Sequence, residues 1–263
     1  MSKNDSLYEQ LLIIADDNTT PLDIPKKRTR VTNVPLQKSY YNDPHILEIG
    51  VDEAGRGPLF GRVYTAAVIL PNDDSFDHSR MKDSKKFSSK NRTKIIDAAN
   101  YIKENAIAWS VTYEDEKVID EINILQATQQ SMHQSIKQVI KIIRNRSAEK
   151  KALVPDVRLL IDGNYFKPII EFNKESMMAA PVQHVCVEGG DNKFTAISAA
   201  SILAKVARDT YIEELCEANP DLIEKYSINT NKGYGAKKHM DGIKKHGITI
   251  WHRRSFAPCS SYS

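Results

Sequence analysis

The sequence has few of the features that mark secreted or membrane proteins. Its 263 residues contain only three cysteines, an odd number spread far apart, so we expect neither a disulfide framework nor a zinc site. No apolar run approaches the roughly 18–20 residues of a membrane span, and the opening MSKNDSLYEQ lacks a signal-peptide pattern. We therefore expect a protein without a membrane partner, in the reducing cytoplasm, or in the nucleus if the host is eukaryotic.

The sequence also lacks the glycine-rich loops that bind nucleotides. Gly55 and Gly57 follow an apolar run, but the next glycine is Gly61 rather than residue 60, and the segment after it is predicted as a strand. A dinucleotide loop needs a helix N-terminus to receive the pyrophosphate, and no Walker loop is present either. What these glycines do allow is a close approach of the backbone to a ligand.

Positive charge is concentrated in two blocks, although the net charge is only +3. Residues 80–94 hold seven lysines and arginines against one aspartate, and residues 232–254 hold the same numbers. Such blocks are either solvated surfaces or contacts to a polyanionic partner. A shorter basic cluster, KKRTR at 26–30, could contact nucleic acid, serve as a nuclear address or simply be solvated.

The hydrophobic pattern predicts an α/β fold with one mixed sheet covered by helices. Runs rich in branched residues predict strands at 46–51, 63–70, 107–113, 157–162 and 182–188. Helices are predicted at 88–104, with Ser88 or Ser89 as the N-cap, and at 117–146, 195–217 and 236–246. Residues 1–45 are predicted to be a flexible extension with at most one short helix over 7–14, and residues 46–263 to be the folded domain.

Two of the predicted helices have distinctive faces. The helix at 195–217 has small residues on one face, which permits close packing against a sheet; they are Ala196, Ala199, Ala200 and Ala204. The helix at 117–146 has a mostly apolar stripe at three- and four-residue steps, which is expected to pack in the core. The stripe comprises Ile119, Ile122, Leu125, Gln129, Met132, Ile136, Val139, Ile140 and Ile143.

Four acidic residues follow the predicted strands. Asp52 and Glu53 close the first strand, Asp162 closes the fourth, and Asp191 follows the fifth. Strand ends on one edge of an open sheet converge on one crevice, so these acids are expected together. Bare carboxylates would repel one another, whereas two divalent ions about 4 Å apart would neutralise them and bind a scissile phosphate. Because strand alternation sends Asp52 and Glu53 to opposite faces, either the strand ends by Glu53 or Glu53 also uses its carbonyl.

Six motifs, taken in chain order, resemble the ribonuclease HII family. They are GVDEAGRGPLFG, KDSKKFS, LLIDGNY, GGDNKFTAISAASILAKVARD, NKGYGAKKH and HRRSFAP. The resemblance runs from about residue 47 to residue 258 and leaves the first 45 or so residues uncovered. It implies a ribonuclease H-like fold, with a mixed five-stranded sheet flanked by helices and a helical C-terminal part. It also implies an endonuclease that uses Mg²⁺ or Mn²⁺ to cleave RNA joined or paired to DNA.

The resemblance assigns roles to single residues. It implies that the four acids, which are Asp52, Glu53, Asp162 and Asp191, bind two catalytic metal ions. It implies that the loop of Gly55, Arg56 and Gly57 holds the ribonucleotide's 2′-hydroxyl through backbone groups. Tyr234 matches the tyrosine that stacks against the sugar beyond the ribonucleotide.

The resemblance leaves the basic motif residues with alternatives. Contacts to phosphates, to the acidic site or to surface carboxylates are all open for Lys85, Lys86, Lys205, Arg208, Lys237, Arg253 and Arg254. Of these, Lys85 is included among the expected substrate-binding residues. For His239 and His252 we expect packing or phosphate contact and no proton transfer. Phe60, Arg62 and Tyr64 depart from the smaller or prolyl residues common after the Gly-Arg-Gly loop.

The resemblance predicts cleavage of the RNA strand of RNA/DNA hybrids and cleavage 5′ to a single ribonucleotide in duplex DNA, leaving a 3′-hydroxyl and a 5′-phosphate. One alternative is a ribonuclease HIII-like enzyme with poor single-ribonucleotide cleavage, although that relative typically has lysine where Arg56 stands. Another is a hybrid-binding protein without activity. We expect a monomer, and the terminal FAPCSSYS lacks the peptide that binds sliding clamps in some relatives.

Overall fold

A five-stranded mixed sheet forms the centre of the protein in the computed structural model, which describes residues 35–81, 92–173 and 178–262. The strands are β1 (Ile46–Ala54), β2 (Val63–Ile69), β3 (Ala108–Glu114), β4 (Asp156–Asp162), β5 (Ile170–Asn173), β6 (Met178–Pro181) and β7 (His184–Val187). The large sheet has the order β3-β2-β1-β4-β7. Its first three strands pair antiparallel, and β1, β4 and β7 pair parallel.

Helices cover both faces of the sheet. They are α1 (Arg92–Asn105), α2 (Glu116–Glu149), α3 (Thr195–Ala218), α4 (Asp221–Tyr226), α5 (Ile228–Asn231) and α6 (Lys237–His246). Helix α3, backed by α1, covers one face and α2 covers the other, so the sheet has a hydrophobic core on each side. Helices α4 to α6 form a third apolar cluster with the end of α3 and the segment after β1. In the part of the chain described, no helix is long and apolar enough to cross a membrane.

The predicted fold class is confirmed, and all five predicted strands are present. The helix predicted at 236–246 also ends as expected, because Gly247 follows it with φ of 75°. Four of the described strands and α-helices were not predicted. These are the separate β5–β6 hairpin, whose strands have four residues each, and the short helices α4 and α5. Elements this short carry too few residues to show a periodic pattern.

Helix α2 is not the single continuous helix that the sequence predicted over 117–146. Asn123 has non-helical angles, with φ of 68° and ψ of 163°. Its side-chain Oδ1 accepts hydrogen bonds from the Leu125 and Gln126 amides, so Asn123 acts as the N-cap of the second part. The break rotates the start of that part, and Leu125, which belonged to the predicted stripe, is exposed. The stripe residues from Met132 to Ile143 are buried as predicted.

The small residues of α3 allow it to lie directly on β1. Gly50 faces the helix, and a Cβ atom added there would lie 2.2 Å from the carbonyl carbon of Ala196. The four small residues predicted to face the sheet are all buried. This contact brings the backbones of strand and helix together. It fixes the distance between α3 and β1, the strand that carries Asp52.

The described part of the predicted extension, residues 35–45, is attached to the fold. Gln37 exchanges backbone hydrogen bonds with Lys193 and Thr195 around the start of α3. The buried carboxylate of Glu48 accepts hydrogen bonds from the Ser39 hydroxyl and from two further backbone amides. From residue 35 onward the chain forms one compact unit. The predictions for residues 1–34, for the caps Ser88 and Ser89, and for Lys85 and Lys86 lie outside the described residues.

We expect Gly50→Ala to destabilise the protein, because its methyl group would overlap the α3 backbone, which has little freedom to move. Overpacking of this kind lowers the free energy of unfolding by about 1–3 kcal/mol. Denaturant unfolding measures the loss. Gly235→Ala is the matched control, since an added Cβ there meets only ordinary contacts at 3.6 Å and beyond. Equal stability of the two variants would show that β1 and α3 are not in backbone contact.

Candidate active site

Two of the predicted acids lie side by side on neighbouring parallel strands. Val51 of β1 is in register with Ile161 of β4, so the next residue on each strand, Asp52 and Asp162, continues the pair. Asp52 is 5% exposed, whereas the Glu53 side chain is 18% exposed. The strand β1 continues to Ala54, so Glu53 lies within it rather than after its end. The parallel register therefore brings together acids that are 110 residues apart in sequence.

Burial and mutual repulsion make the charged form of these acids energetically unfavourable in the absence of a counter-charge. The pKa of Asp52 is raised well above its usual value, first by burial and then by the charges of Glu53 and Asp162. Hydrogen bonds from the Ser201 hydroxyl and the Glu53 amide oppose the rise in the Asp52 pKa. Burial also raises the pKa of Glu53, partly offset by Arg56, whose Nη1 lies 3.4 Å from its Oε1.

The fourth acid, Asp191, lies in a buried turn next to this group. Residues Gly190–Asn192 form a single 3₁₀ turn between β7 and α3. The Gly190 amide donates a 2.7 Å hydrogen bond to Oδ1 of Asp162, which ties the turn to the end of β4. Asp191 is 1% exposed, and its Oδ1 accepts from the Asn192 side chain at 2.9 Å. This hydrogen bond connects the segments that carry Asp162 and Asp191.

The donor chemistry of the four acids suits divalent cations. Carboxylate oxygens are the preferred ligands of Mg²⁺ and Mn²⁺, and a cation would remove the repulsion that raises the Asp52 pKa. As the side chains stand, no group of three or more His, Cys, Asp or Glu residues within the described ranges is arranged to hold a metal ion. The structure brings Asp52, Glu53 and Asp162 into one electrostatic group with the Asp191 turn beside it, and the shared metal site stays a prediction.

The Gly-Arg-Gly loop is held by the buried guanidinium of Arg253. Its nitrogens donate to four backbone carbonyls, two in the loop and two in the segment that follows it, at 2.6 to 2.9 Å. The acceptors are Gly55, Arg56, Pro58 and Gly61. Burial lowers the pKa of Arg253 to about 9, so the side chain stays charged at neutral pH. A planar fork with five donors suits this task, because it satisfies several carbonyls from one point.

A second buried arginine, Arg208 of α3, supports the loop from the other side. Its Nη2 donates to the carbonyl of Lys232 at 2.9 Å and to that of Phe60 at 3.3 Å. A Cβ added to Gly55 would lie 2.3 Å from its Nε, so only glycine fits there. Contacts to phosphates, to the acids or to surface carboxylates were open for Arg208 and Arg253; both are buried and bind backbone carbonyls instead. Burial lowers the pKa of Arg208.

With the carbonyls turned inward, the loop presents its amides to the surface. Within the described residues, the amides of Arg56 and Gly57 donate to no hydrogen-bond acceptor. The ring of Tyr234 lies beside them, with its Cε1 3.6 Å from the position of a Cβ on Gly57. Tyr234 is 52% exposed, although it is a large aromatic side chain. The structure thus places the ring of Tyr234 beside the loop.

Two buried histidines support Tyr234 through its backbone carbonyl. Nδ1 of His239 lies 2.9 Å from the Tyr234 carbonyl, and its Nε2 lies 3.1 Å from Nε2 of His252. The Thr249 amide donates to Nδ1 of His252 at 2.9 Å. These partners fix both tautomers: His239 has its proton on Nδ1 and His252 has its proton on Nε2, so both rings are neutral. The predicted packing role is confirmed for both histidines, which are at most 1% exposed.

The sequence reasoning missed several of these residues. The hydroxyl of Ser201 and the Gly190 amide contact the acids, yet neither was predicted as part of the site. The signal for Ser201 was present, because a serine among the alanines of a buried helix needs a hydrogen-bond partner. No such signal exists for Arg253, because its partners are backbone carbonyls, which every residue has.

Comparison with known proteins decides the family. A sequence profile of ribonuclease HII matches residues 49–259. The ribonuclease HII of Neisseria meningitidis is 39% identical over 214 residues, which cover 81% of this chain and 94% of that protein. That of Parabacteroides distasonis is 40% identical over 216 residues, covering 82% and 92%. The chain belongs to the ribonuclease HII family. It is therefore a ribonuclease H, a hydrolase of phosphodiester bonds.

Solved structures of ribonucleases H show the same fold. The ribonuclease H2 of Pyrococcus horikoshii aligns with a TM-score of 0.53 and 21% identity, over 82% of this chain and 96% of that one. A ribonuclease HIII solved in complex with Mn²⁺ aligns with a TM-score of 0.59 and 19% identity, over 83% and 69%. The ribonuclease H-like fold predicted from the sequence is confirmed.

We expect Arg253→Lys to damage both stability and activity. Lysine keeps the charge, but its three donors on one nitrogen cannot reach four carbonyls, and each buried acceptor left unpaired costs about 1–3 kcal/mol. The free energy of unfolding should fall by about 3 kcal/mol, measured with denaturant. Arg254→Lys is the control, because the neighbouring side chain is exposed. An Arg253→Lys protein as stable as this control would contradict the account of the loop.

Acidification should unfold the protein partly through His252. Burial, and then repulsion by His239, lowers the pKa of His252 to about 3, against 6.5 for the free side chain. Between these values the unfolded chain binds a proton that the folded protein excludes, so stability falls as the pH drops below about 6.5. One such group accounts for about 1.4 kcal/mol per pH unit.

This contribution is tested by comparing pH profiles of the free energy of unfolding. The free energy of unfolding of His252→Gln should fall less steeply than that of the parent protein between pH 6.5 and 4. That of His246→Gln, a substitution at an exposed histidine of α6, should follow the parent. Parallel profiles for the parent protein and His252→Gln would show that His252 titrates normally.

Proposed function

We propose that this ribonuclease H is an endonuclease that cleaves the RNA strand of RNA/DNA hybrids and cleaves 5′ to a single ribonucleotide in duplex DNA. The products would be a 3′-hydroxyl and a 5′-phosphate. One observation carries the proposal: a buried group of carboxylates adjoins a loop whose amides at Arg56 and Gly57 are unpaired among the described residues. The first feature suits phosphodiester chemistry, and the second suits recognition of a sugar hydroxyl.

Recognition of the ribonucleotide is assigned to the loop and Tyr234. The 2′-hydroxyl is the group that distinguishes RNA from DNA, and it can accept a hydrogen bond from a backbone amide. Arg253 and Arg208 fix the loop, so these amides are in place before the substrate binds. The exposed ring of Tyr234 next to Gly57 would then pack against the adjacent sugar.

Divalent metal ions are assigned to Asp52, Glu53, Asp162 and Asp191, with two ions as the expected number. The ribonuclease HIII neighbour was solved with Mn²⁺, and Mg²⁺ has the same preference for oxygen ligands. When bound, the ions supply neutralisation of the carboxylates and of the charge on the scissile phosphate. The chain's own contribution is the register of β1 and β4, the Ser201 hydrogen bond to Asp52 and the Gly190 hydrogen bond to Asp162.

Basic side chains would hold the duplex on either side of the cut. Helix α6 has four exposed lysines, which are Lys237, Lys238, Lys244 and Lys245. Such side chains contact phosphates without reading sequence. Lys85 is proposed as a further substrate contact on the basis of its motif. We also propose that the enzyme acts as a monomer; one structural neighbour is an Archaeoglobus fulgidus ribonuclease HII in complex with PCNA.

Single-ribonucleotide specificity is tested by mapping the products on duplex DNA that contains one ribonucleotide, with Mn²⁺ or Mg²⁺ present. We expect one cut on the 5′ side of the ribonucleotide, no cut in an all-DNA duplex, and no cut after chelation. Cleavage of a hybrid but not of this substrate would indicate a ribonuclease HIII-like specificity. Binding of both without cleavage, at saturating metal, would indicate a protein that only binds hybrids.

Asp162→Asn should reduce cleavage at least about a hundredfold, because the amide is neutral and weakens both the carboxylate group and its attraction for cations. The measurement is the single-turnover rate at saturating Mn²⁺. Asp156→Asn is the matched control, an exposed aspartate at the opposite end of the same strand. Retained turnover in Asp162→Asn would remove Asp162 from the catalytic group.

A further inference from the structure

The two buried histidines have a feature that packing alone does not require. Their hydrogen bonds run in one direction, from the Thr249 amide through His252 and His239 to the carbonyl of Tyr234. Each ring uses both nitrogens, one as acceptor and one as donor, so every polar atom of the pair has a partner. The chain ends on the backbone of the residue whose ring faces the Gly-Arg-Gly loop.

We propose that His239 and His252 are positioning residues that set the place of Tyr234 against the Gly55–Arg56–Gly57 loop and so support the selection of ribonucleotides. This inference rests on the proposed function, because it takes Tyr234 as a substrate contact. Neither histidine touches the reacting atoms. Their effect reaches the substrate through the Tyr234 carbonyl, which His239 holds at 2.9 Å.

The surroundings make the histidine pair rigid. The ring of Phe60 packs edge-on against His252 at 5.1 Å, and Tyr226 lies 5.2 Å from His252 and 6.2 Å from His239. Phe60 also forms a backbone β-bridge with His252. Phe60 therefore supports both the histidine pair and the loop. A rigid donor can hold a carbonyl whose own segment lacks regular structure, which is the situation of Tyr234.

The residues next to Tyr234 show why such a support is needed. Lys232 has φ of 51° and Gly233 has φ of 83°, so the chain turns sharply just before the tyrosine. The carbonyl of Gly233 accepts from the Leu59 amide at 2.8 Å, which joins this turn to the end of the loop. The His239 bond then fixes the next peptide group. The same carbonyl also accepts from the Ala236 amide at 2.7 Å, and the Arg208 guanidinium lies 5.9 Å from the centre of the Tyr234 ring. The His239 bond adds a hydrogen bond from a buried side chain of α6 to these contacts.

The test uses two substitutions at His239 that each keep one nitrogen position. Asparagine places its amide nitrogen near Nδ1 and can still donate to the Tyr234 carbonyl, whereas glutamine places its nitrogen near Nε2 and cannot. We expect His239→Gln to cleave the one-ribonucleotide duplex about fivefold more slowly than His239→Asn, the effect of one hydrogen bond. His246→Gln, a substitution at an exposed histidine of the same helix, should cleave like the parent protein.

The same pair of substitutions is then made in a Tyr234→Ala background. If His239 acts through Tyr234, the difference between glutamine and asparagine should disappear there, because the ring that the hydrogen bond positions is gone. Equal rates of the two variants in the parent background, or a difference that persists with Tyr234→Ala, would overturn the proposal. Failure of the proposed function is distinguishable, since the parent protein itself would then not cut at the ribonucleotide.

A second measurement needs no substitution and no activity. Nitrogen-15 NMR of the imidazole rings in the full-length protein reports which nitrogen carries the proton. We expect a protonated Nδ1 in His239 and a protonated Nε2 in His252, with both rings neutral at pH 7. The opposite tautomer in either ring, or rapid exchange between tautomers, would show that no fixed hydrogen bond holds the Tyr234 carbonyl.

Discussion

The site depends on one interaction, the binding of four backbone carbonyls in and just after the loop by the buried guanidinium of Arg253. A charge this deeply buried is costly unless its donors are satisfied, and here carbonyl oxygens satisfy them. Turning the carbonyls inward fixes the loop conformation and leaves Arg56 and Gly57 exposed at the surface. Arg208 and the histidine pair extend the same support to the Lys232–Tyr234 turn. Buried side chains therefore hold both the loop and the turn through their backbone groups.

The acid group follows a different physical rule. Parallel pairing of β1 and β4 places Asp52 beside Asp162, and the backbone contact of α3 with Gly50 brings Ser201 to Asp52. The protein thus holds like charges together against their repulsion, which is why the pKa of Asp52 is raised. Such an arrangement is unfavourable by itself and becomes favourable with a cation. The packing of the sheet and of α3 offsets the unfavourable free energy of bringing the acids together.

Much of this could be predicted from the sequence, because strand runs, the small face of α3 and the acids at strand ends are local patterns. The family was identified from the six motifs and their order along the chain. The break of α2 at Asn123 was not predicted. An asparagine between two positions of the apolar stripe looks in sequence like any residue on the exposed face of a helix. The roles of Arg253 and Arg208 were left open between phosphates, the acids and surface carboxylates, because a basic residue in a nucleic-acid enzyme suggests such partners. Their real partners are carbonyl groups, and those have no signature in a sequence.

The central claim is that the four acids and the Gly-Arg-Gly loop form one site for metal and ribonucleotide. It is tested most directly by a crystal structure with Mn²⁺ and a one-ribonucleotide duplex, with metal positions taken from anomalous scattering. The account predicts manganese bound to the carboxylates of Asp52 and Asp162, and the 2′-hydroxyl within hydrogen-bond distance of the Arg56 or Gly57 amide. Manganese bound elsewhere, or a loop that faces away from the ribose, would contradict it.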